Sequence, residues 1–553
     1  MNTSKRLGVA FLWHMHQPYY KDPLDGTYQM PWVRLHGIKD YYPMAVLVDN
    51  FEDIRVTFNL VPSLVEQIND YALNDATDTF LDLTVKKASS LTFNDKVEIL
   101  NHFFKVNFKQ FIEPNERYLE LFLKKGVKTL AGSALKKAVK SFSTQDFLDL
   151  QALFNLAWFH SISLDDDINL RDLVIKKSGY TEDDKEYFVA KGKEIMGQIL
   201  PLYKKLQDNG KIEITTTPYY HPILPLICDT SVAKVSLPHN PLPRKFAHPE
   251  DAEWQIDAAI KYHTEQFGSP PRGMWPSEGS VSEEALGIMM KKGIGWVATD
   301  EDILFESLSL HGKKHKGYSQ FDRRIIYQPY KFKSGSRHIT MVFRDKNLSD
   351  IISFNYNAWD QAEAAEDLIG HCRNVAEHFR YDKTRGLLTV IMDGENAWEY
   401  YEDNGRLFFE TLYANLDKEE LAGSTTISDF LDIESPKKTV SNVFPGSWIN
   451  HNFEIWIGQD QDNVSWGYLD RVRKDLVKFT AQANKKEDFD GSKLKEAWRE
   501  LYIAEGSDWN WWYGGRAHAG NDNPFDRLYR THLKNIYKLM NKPVPDFLKI
   551  SIA

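Results

Sequence analysis

Seven short apolar runs recur along the chain and close on polar residues: Leu7–Trp13, Ile54–Leu60, Lys211–Thr217, Arg272–Trp275, Ile294–Thr299, Ile339–Arg344 and Leu387–Asp393. β-Branched and aromatic residues are frequent in them, which predicts strands. Most runs are continuous rather than alternating, the pattern of parallel strands buried on both faces. Between most of them, apolar residues return every three or four positions, as in Asp251–Phe267, Ser282–Lys292 and Gln361–Phe379, and predict amphipathic helices. Strand–helix alternation with right-handed crossovers predicts a parallel sheet, open or closed into a barrel.

The second and third runs are separated by helical periodicity from Ser63 to Asp208, clearest in Lys96–Asn107, Gln145–Phe159 and Tyr187–Leu206. This predicts a helical insertion on a strand-rich scaffold. After the seventh run the pattern turns helical again, in Asp462–Phe479 and Lys493–Ala504. With no low-complexity linker and no fixed-period repeat, the expected organisation is an α/β barrel over residues 1–410, with the insertion at 63–208, and a C-terminal helical domain over 411–553.

Parallel barrels carry their chemistry at the C-terminal ends of the strands. Here those ends read His14 and His16, Asn59, Thr217 followed by Tyr219-Tyr220-His221, Glu278, Asp300, Arg344 and Asp345, then Asp393 and Glu395. Two of them, Gly273-Met274-Trp275-Pro276-Ser277-Glu278 and Val390-Ile391-Met392-Asp393-Gly394-Glu395, deliver a carboxylate where a buried run surfaces. Paired carboxylates are what glycosidic bond cleavage needs, one to attack or stabilise the sugar and one to protonate the leaving oxygen. Each acid has a plainer explanation alone: Ser280 to Glu283 fits a capping box beside Glu278, and Asp393-Gly394 is a frequent turn dipeptide. At matching strand ends, with aromatics beside both, the catalytic reading prevails. Each negative charge raises its neighbour's pKa, so one carboxylate can keep its proton near neutrality. Which one does so is not legible from these residues.

Composition narrows the partners. The 553 residues are 42% hydrophobic and 26% charged, as in ordinary globular proteins, and the net charge of -10 disfavours nucleic acid or anionic membrane as the main partner. A neutral substrate suits it. The two cysteines, Cys228 and Cys372, form no CxxC pair and suggest neither a disulfide framework nor a Cys-ligated zinc. Lys5 and Arg6 before Leu7–Trp13 mimic a signal peptide, yet the apolar run is short and lacks a small-residue cleavage site, so the expected location is the cytoplasm. No stretch approaches the roughly 20 apolar residues of a membrane span. Aromatic residues make up 13% of the chain, enough both for a large core and for platforms on which sugar rings stack. Monomer and dimer are both compatible.

Five segments resemble, in order, the motif regions of glycoside hydrolase family 57. They are His14-Met15-His16-Gln17-Pro18, Gly210-Lys211-Ile212-Glu213-Ile214, Gly273–Glu278, Val390–Glu395 and Asn450–Trp466. Pro218–Leu226, Phe343–Asp350 and Glu505–Trp509 are similar to its amylopullulanase and α-amylase branch. The resemblance implies a (β/α)7 barrel, an incomplete relative of the eight-stranded barrel, and a retaining mechanism on α-glucans without a cofactor. It implies Glu278 as nucleophile and Asp393 as general acid/base, and an α-1,4 hydrolase with α-1,6 cleavage as a further activity. Substrate contacts are expected from His14, His16, Gln17, Glu213, His221, Trp275, Asp345, Glu395, Trp398, Trp448, His451, Trp456 and Trp466.

Other readings stay open. The covalent intermediate can be captured by a sugar hydroxyl, as in a 4-α-glucanotransferase or branching enzyme, or the aromatics can serve a non-catalytic glucan-binding protein. His14 and His16 with His221 or His451 could ligate a metal, although imidazoles bonded to sugar hydroxyls explain them without one. Trp509-Asn510-Trp511-Trp512-Tyr513 fits either core packing or a sugar platform, and Asp508 with Arg516 a buried polar network.

Overall fold

The computed structural model describes residues 5–126, 132–309, 323–483, 485, 491–514 and 523–552. Ten strands share one sheet: β1 (Leu7–Met15), β2 (Val56–Leu60), β3 (Ile212–Thr215), β4 (Gly273–Met274), β5 (Trp296–Asp300), β6 (Tyr330–Ser334), β7 (Arg337–Arg344), β8 (Gly386–Asp393), β9 (Ala422–Ser424) and β10 (Lys438–Val440). The seven runs expected from sequence are β1 to β5, β7 and β8. All nine residues of β1 are buried, as a strand covered on both faces requires.

Those seven strands form a ring of parallel neighbours. β1 pairs with β2, and β2 with β3. The ring passes to β4 through a bridge between Thr216 and Met274, then from β4 to β5 and from β5 to β7. Arg344 opposite Thr389 joins β7 to β8, and β8 returns to β1 along eight paired positions. Two seams rest on single pairings, so the barrel is nearly closed. This is the expected (β/α)7 architecture.

The sequence reading did not include β6, β9 and β10. β6 runs antiparallel to β7, and its lysines alternate with buried Tyr330 and Phe332. β9 has only small side chains and lies beside Leu7–Val9, on the stretch of β1 that β2 leaves uncovered. Strands of three residues carry too few side chains to produce a periodic signal.

Helices from Pro62–Leu73 to Glu182–Asp208 fill the connection between β2 and β3. The last of them opens on a capping box in which Thr181 and Asp184 exchange hydrogen bonds. Beyond the barrel, helices Asp460–Ala483, Gly491–Ala504 and Pro524–Leu539 pack on one another. Buried Gln255 of helix Pro249–Phe267 ties them down, donating to the Tyr502 carbonyl and to Glu505, both at 3.0 Å. Gly506 bridges to Pro222, and the Ser507 amide donates to the His221 carbonyl at 3.0 Å. The Ser507–Trp512 turn is thereby pinned to the loop that follows β3. Among the described residues no helix is long and apolar enough to cross a membrane.

Candidate active site

At the end of β4 the chain turns through Pro276 into Glu278, whose φ of 57° and ψ of 27° lie in the left-handed region. A side chain there costs roughly 1–2 kcal/mol and persists only where its surroundings hold it. Gly279 follows at φ 58°, and a Cβ on it would lie 2.7 Å from the Trp275 ring, so only glycine fits. The capping box weighed as the plainer explanation, at Ser280, does not form. Ser282 caps the next helix, accepting from the Ala285 amide, and Glu278 stands outside it.

Two indole N–H groups hold the Glu278 carboxylate. Trp448 donates to Oε2 at 2.8 Å and Trp511 to Oε1 at 3.2 Å, while the Trp448 amide donates to the Glu278 carbonyl at 2.9 Å. Glu278 is only 7% exposed. Burial and the charge of Asp393 push its pKa up to about 7, against the downward pull of the two indoles. Asp393 closes β8 directly opposite His14 of β1. Its Oδ2 accepts from Asn396 at 2.8 Å; burial raises its pKa, and His16 and Arg344 oppose that rise. The two carboxylates therefore face one another electrostatically in a site where burial favours the protonated form of each.

Three imidazoles line the neighbouring wall. His16 and His221 lie face to face with centroids 3.8 Å apart, and His14 stacks 5.3 Å from His221. His14 Nδ1 is 2.6 Å from Asn59 Oδ1, His221 Nδ1 is 2.8 Å from Ser507, and His16 Nε2 is 2.7 Å from Asp508. Burial, reinforced by the neighbouring rings, lowers the pKa of His14 to about 3 and that of His221 strongly. These two act as neutral hydrogen-bonding groups.

Glu395 receives the Tyr41 hydroxyl at 3.0 Å, the Gln17 amide at 3.1 Å and the His16 backbone N–H at 3.2 Å, all on Oε1. Burial, with Asp393 and Asp40 adding to it, raises its pKa far above the usual carboxylate range. Among the described residues its Oε2, His16 Nδ1 and His221 Nε2 are buried without a partner. His16, His221 and Asp508 also bring three ligand-type atoms within 4.8 Å of one another, a set able to hold a metal ion.

The remaining expected residues separate into groups. Trp275 is fully buried and meets Trp448, the indole donor to Glu278, edge to face at 5.3 Å. Trp456 and Trp466 are buried, with the Trp466 N–H on the Trp456 carbonyl, and Trp456 meets the edge of Trp511. Trp398 sits in the core against Trp13 and Phe409, donating to the Gly394 carbonyl at 2.9 Å. Asp345 caps helix Lys346–Phe354 and accepts from Tyr327 and Arg323. His451 lies 3.8 Å from Asp302, which raises its pKa. Glu213 is not gathered with these groups. It accepts from the Ser428 amide and hydroxyl and from Trp296, beside the first residues of β4 and β5, at the opposite end of the barrel from Glu278.

Tyr41 and Asn396 join the site although sequence reasoning did not place them there; Asn59 was read at a strand end, and Trp511 and Asp508 only within a cluster left open between core and site. The aromatic cluster near the C-terminus divides between core and site. Trp509 is buried with its N–H on the Ile503 carbonyl, Trp511 reaches Glu278, and Trp512 is 38% exposed. Arg516 lies outside the described residues. No local signal could single out Trp511, because it follows Glu278 by 233 positions.

A family model described as glycosyl hydrolase family 57 matches residues 10–443. No curated protein matches the chain in sequence. Among solved structures, the fold is similar to a family-57 branching enzyme from Thermococcus kodakaraensis in complex with glucose, with TM-score 0.61, 15% identity, and coverage of 97% of this chain and 90% of that one. A family-57-type branching enzyme from Pyrococcus horikoshii gives 0.59, 17%, 99% and 97%. The α-amylase AmyC from Thermotoga maritima gives 0.56, 15%, 97% and 93%.

Proposed function

The chain belongs to glycosyl hydrolase family 57, and we propose that it is a retaining enzyme acting on α-1,4-linked glucans, with α-1,6 cleavage as a further activity. The observation that carries this reading is the pair of buried Glu278 and half-buried Asp393 at the ends of β4 and β8, with two indole donors on Glu278. Glu278, in the carboxylate form that those donors favour, attacks the anomeric carbon. As the glycosidic bond breaks, Asp393 gives its proton to the leaving oxygen. The Asp393 carboxylate then takes a proton from water, whose oxygen attacks the same carbon and releases Glu278. The unpartnered His16 Nδ1, His221 Nε2 and Glu395 Oε2 are available to sugar hydroxyls around the scissile bond. In this reading residues 1–410 carry the acid pair, and 411–553 supply Trp448, Asp508 and Trp511 to complete the site.

Glu278→Ala should abolish reducing-sugar release from amylose while circular dichroism stays unchanged; wild-type turnover would refute the assignment. The second reading is transfer, in which a sugar hydroxyl replaces water. It is favoured by the enclosure of Glu278, 7% exposed beneath Trp448 and Trp511, since a covered intermediate meets little bulk water. Product sizing on amylose and pullulan separates the two: transfer gives longer or branched chains without net new reducing ends.

A further inference from the structure

A cleft of about 1440 Å³ opens beside the acid pair. It starts at Gln17, Glu395 and Asn396, the last of which hydrogen-bonds Asp393, and runs out between the helical insertion and the start of helix Pro524–Leu539. Its walls carry aromatic rings that the core does not absorb: Phe108 is 38% exposed, Tyr400 51% and Trp512 38%. Trp512 is braced by a parallel stack on Phe525, centroids 4.1 Å apart. Large apolar side chains left open along one groove mark a ligand surface, because water solvates them poorly. The charges of the lining nearly balance, Asp82, Glu98 and Glu399 against four lysine or arginine side chains, with the pKa of Glu395 raised far above the usual carboxylate range, which suits a neutral ligand.

Aromatic faces interleaved with polar side chains match a chain of pyranose rings, whose C–H faces stack while their hydroxyls bond at the edges. We infer that this cleft binds several consecutive glucose units away from the scissile bond, so that the helical insertion, through Phe108 and its neighbours, reads glucan chain length. The inference rests on the α-glucan reading above and extends it to a site outside the acid pair, the histidine stack and the tryptophans around Glu278.

The test uses the full chain with Phe108→Ala and Tyr400→Ala, singly and together. The ratio of kcat/KM for maltoheptaose to that for maltotriose should fall about tenfold in the double variant, the loss expected for removing roughly 1.4 kcal/mol of stacking. Tyr381→Ala, at a ring 93% exposed and outside the cleft, should leave the ratio unchanged. Calorimetric titration of maltoheptaose into a Glu278→Gln background should show the same tenfold weakening on adding the double change. If wild type cleaves maltoheptaose but neither ratio nor affinity moves, the chain-length inference is overturned and the enzymatic reading stands. If wild type cleaves no α-glucan while maltoheptaose binding depends on Phe108 and Tyr400, the inference stands and the enzymatic reading falls. Absence of maltoheptaose binding overturns the inference outright.

Discussion

Trp448→Phe removes one N–H and keeps a ring over Glu278. The indole donates to Oε2 at 2.8 Å, and this bond exists to full strength only while the carboxylate is ionised, so it lowers the Glu278 pKa against burial and Asp393. A hydrogen bond to a charged group contributes about 1.5–3 kcal/mol. Trp511 remains on the other oxygen at 3.2 Å and can take up part of the loss, which leaves about 1.4 kcal/mol, or a tenfold gain in proton affinity. The nucleophile must be anionic, so the acid limb of kcat/KM against pH should move up by about one pH unit. Activity then drops most in mildly acidic buffer and recovers toward alkaline pH. The assay is kcat/KM on a maltooligosaccharide from roughly pH 4 to 9, with the limb assigned to the carboxylate pair as a whole. A uniform fall at every pH, or an acid limb that stays in place, would refute the reasoning, because Trp448 would then act by packing alone.

Two further outcomes follow from the same geometry. Glu278 has its folded pKa raised from 4.5 to about 7, so the stability it contributes is complete below the unfolded value and is lost as pH rises through the folded one. Glu278→Gln, which never ionises, should gain up to about 3 kcal/mol over wild type in alkaline buffer and little in acid, read as a Tm difference larger at about pH 8 than at about pH 4. A gain independent of pH would contradict the buried-charge argument. Trp398→Ala should cost about 3–5 kcal/mol, because the ring is 1% exposed against Trp13 and Phe409. Normal thermal stability with only a raised KM would show instead that Trp398 is a substrate platform.

Helical periodicity located the main helices between and beyond the strands, and short apolar runs, most of them continuous, located all seven ring strands. Both signals are local, since a parallel strand buried on two faces must be apolar throughout its length. The short strands β9 and β10 escaped because three residues make no period. β6 escaped because its five residues carry only two apolar ones, Tyr330 and Phe332, too few to stand out as a run. The aromatics show the same limit. Burial favours tryptophan as strongly as a sugar does, so sequence alone could not tell Trp398, Trp456 and Trp466, which pack inside, from Trp448 and Trp511, which reach the carboxylate.

The sequence by itself determined that Glu278, Asp393, His14 and His16 sit at strand ends, because a strand's apolar run states where it stops. It could not state which end of the barrel a polar residue within a strand faces. Glu213 therefore shared a motif with the site and was found beside Ser428 and Trp296 at the far end. Only the tertiary structure decided the pairings that give the site its chemistry. The indoles reach Glu278 across 170 and 233 positions, Asp508 meets His16 across 492, and three donors converge on one oxygen of Glu395. Contacts at such separations leave no mark on local pattern. They exist because ring closure sets the strand ends side by side and the C-terminal helices are pinned over them.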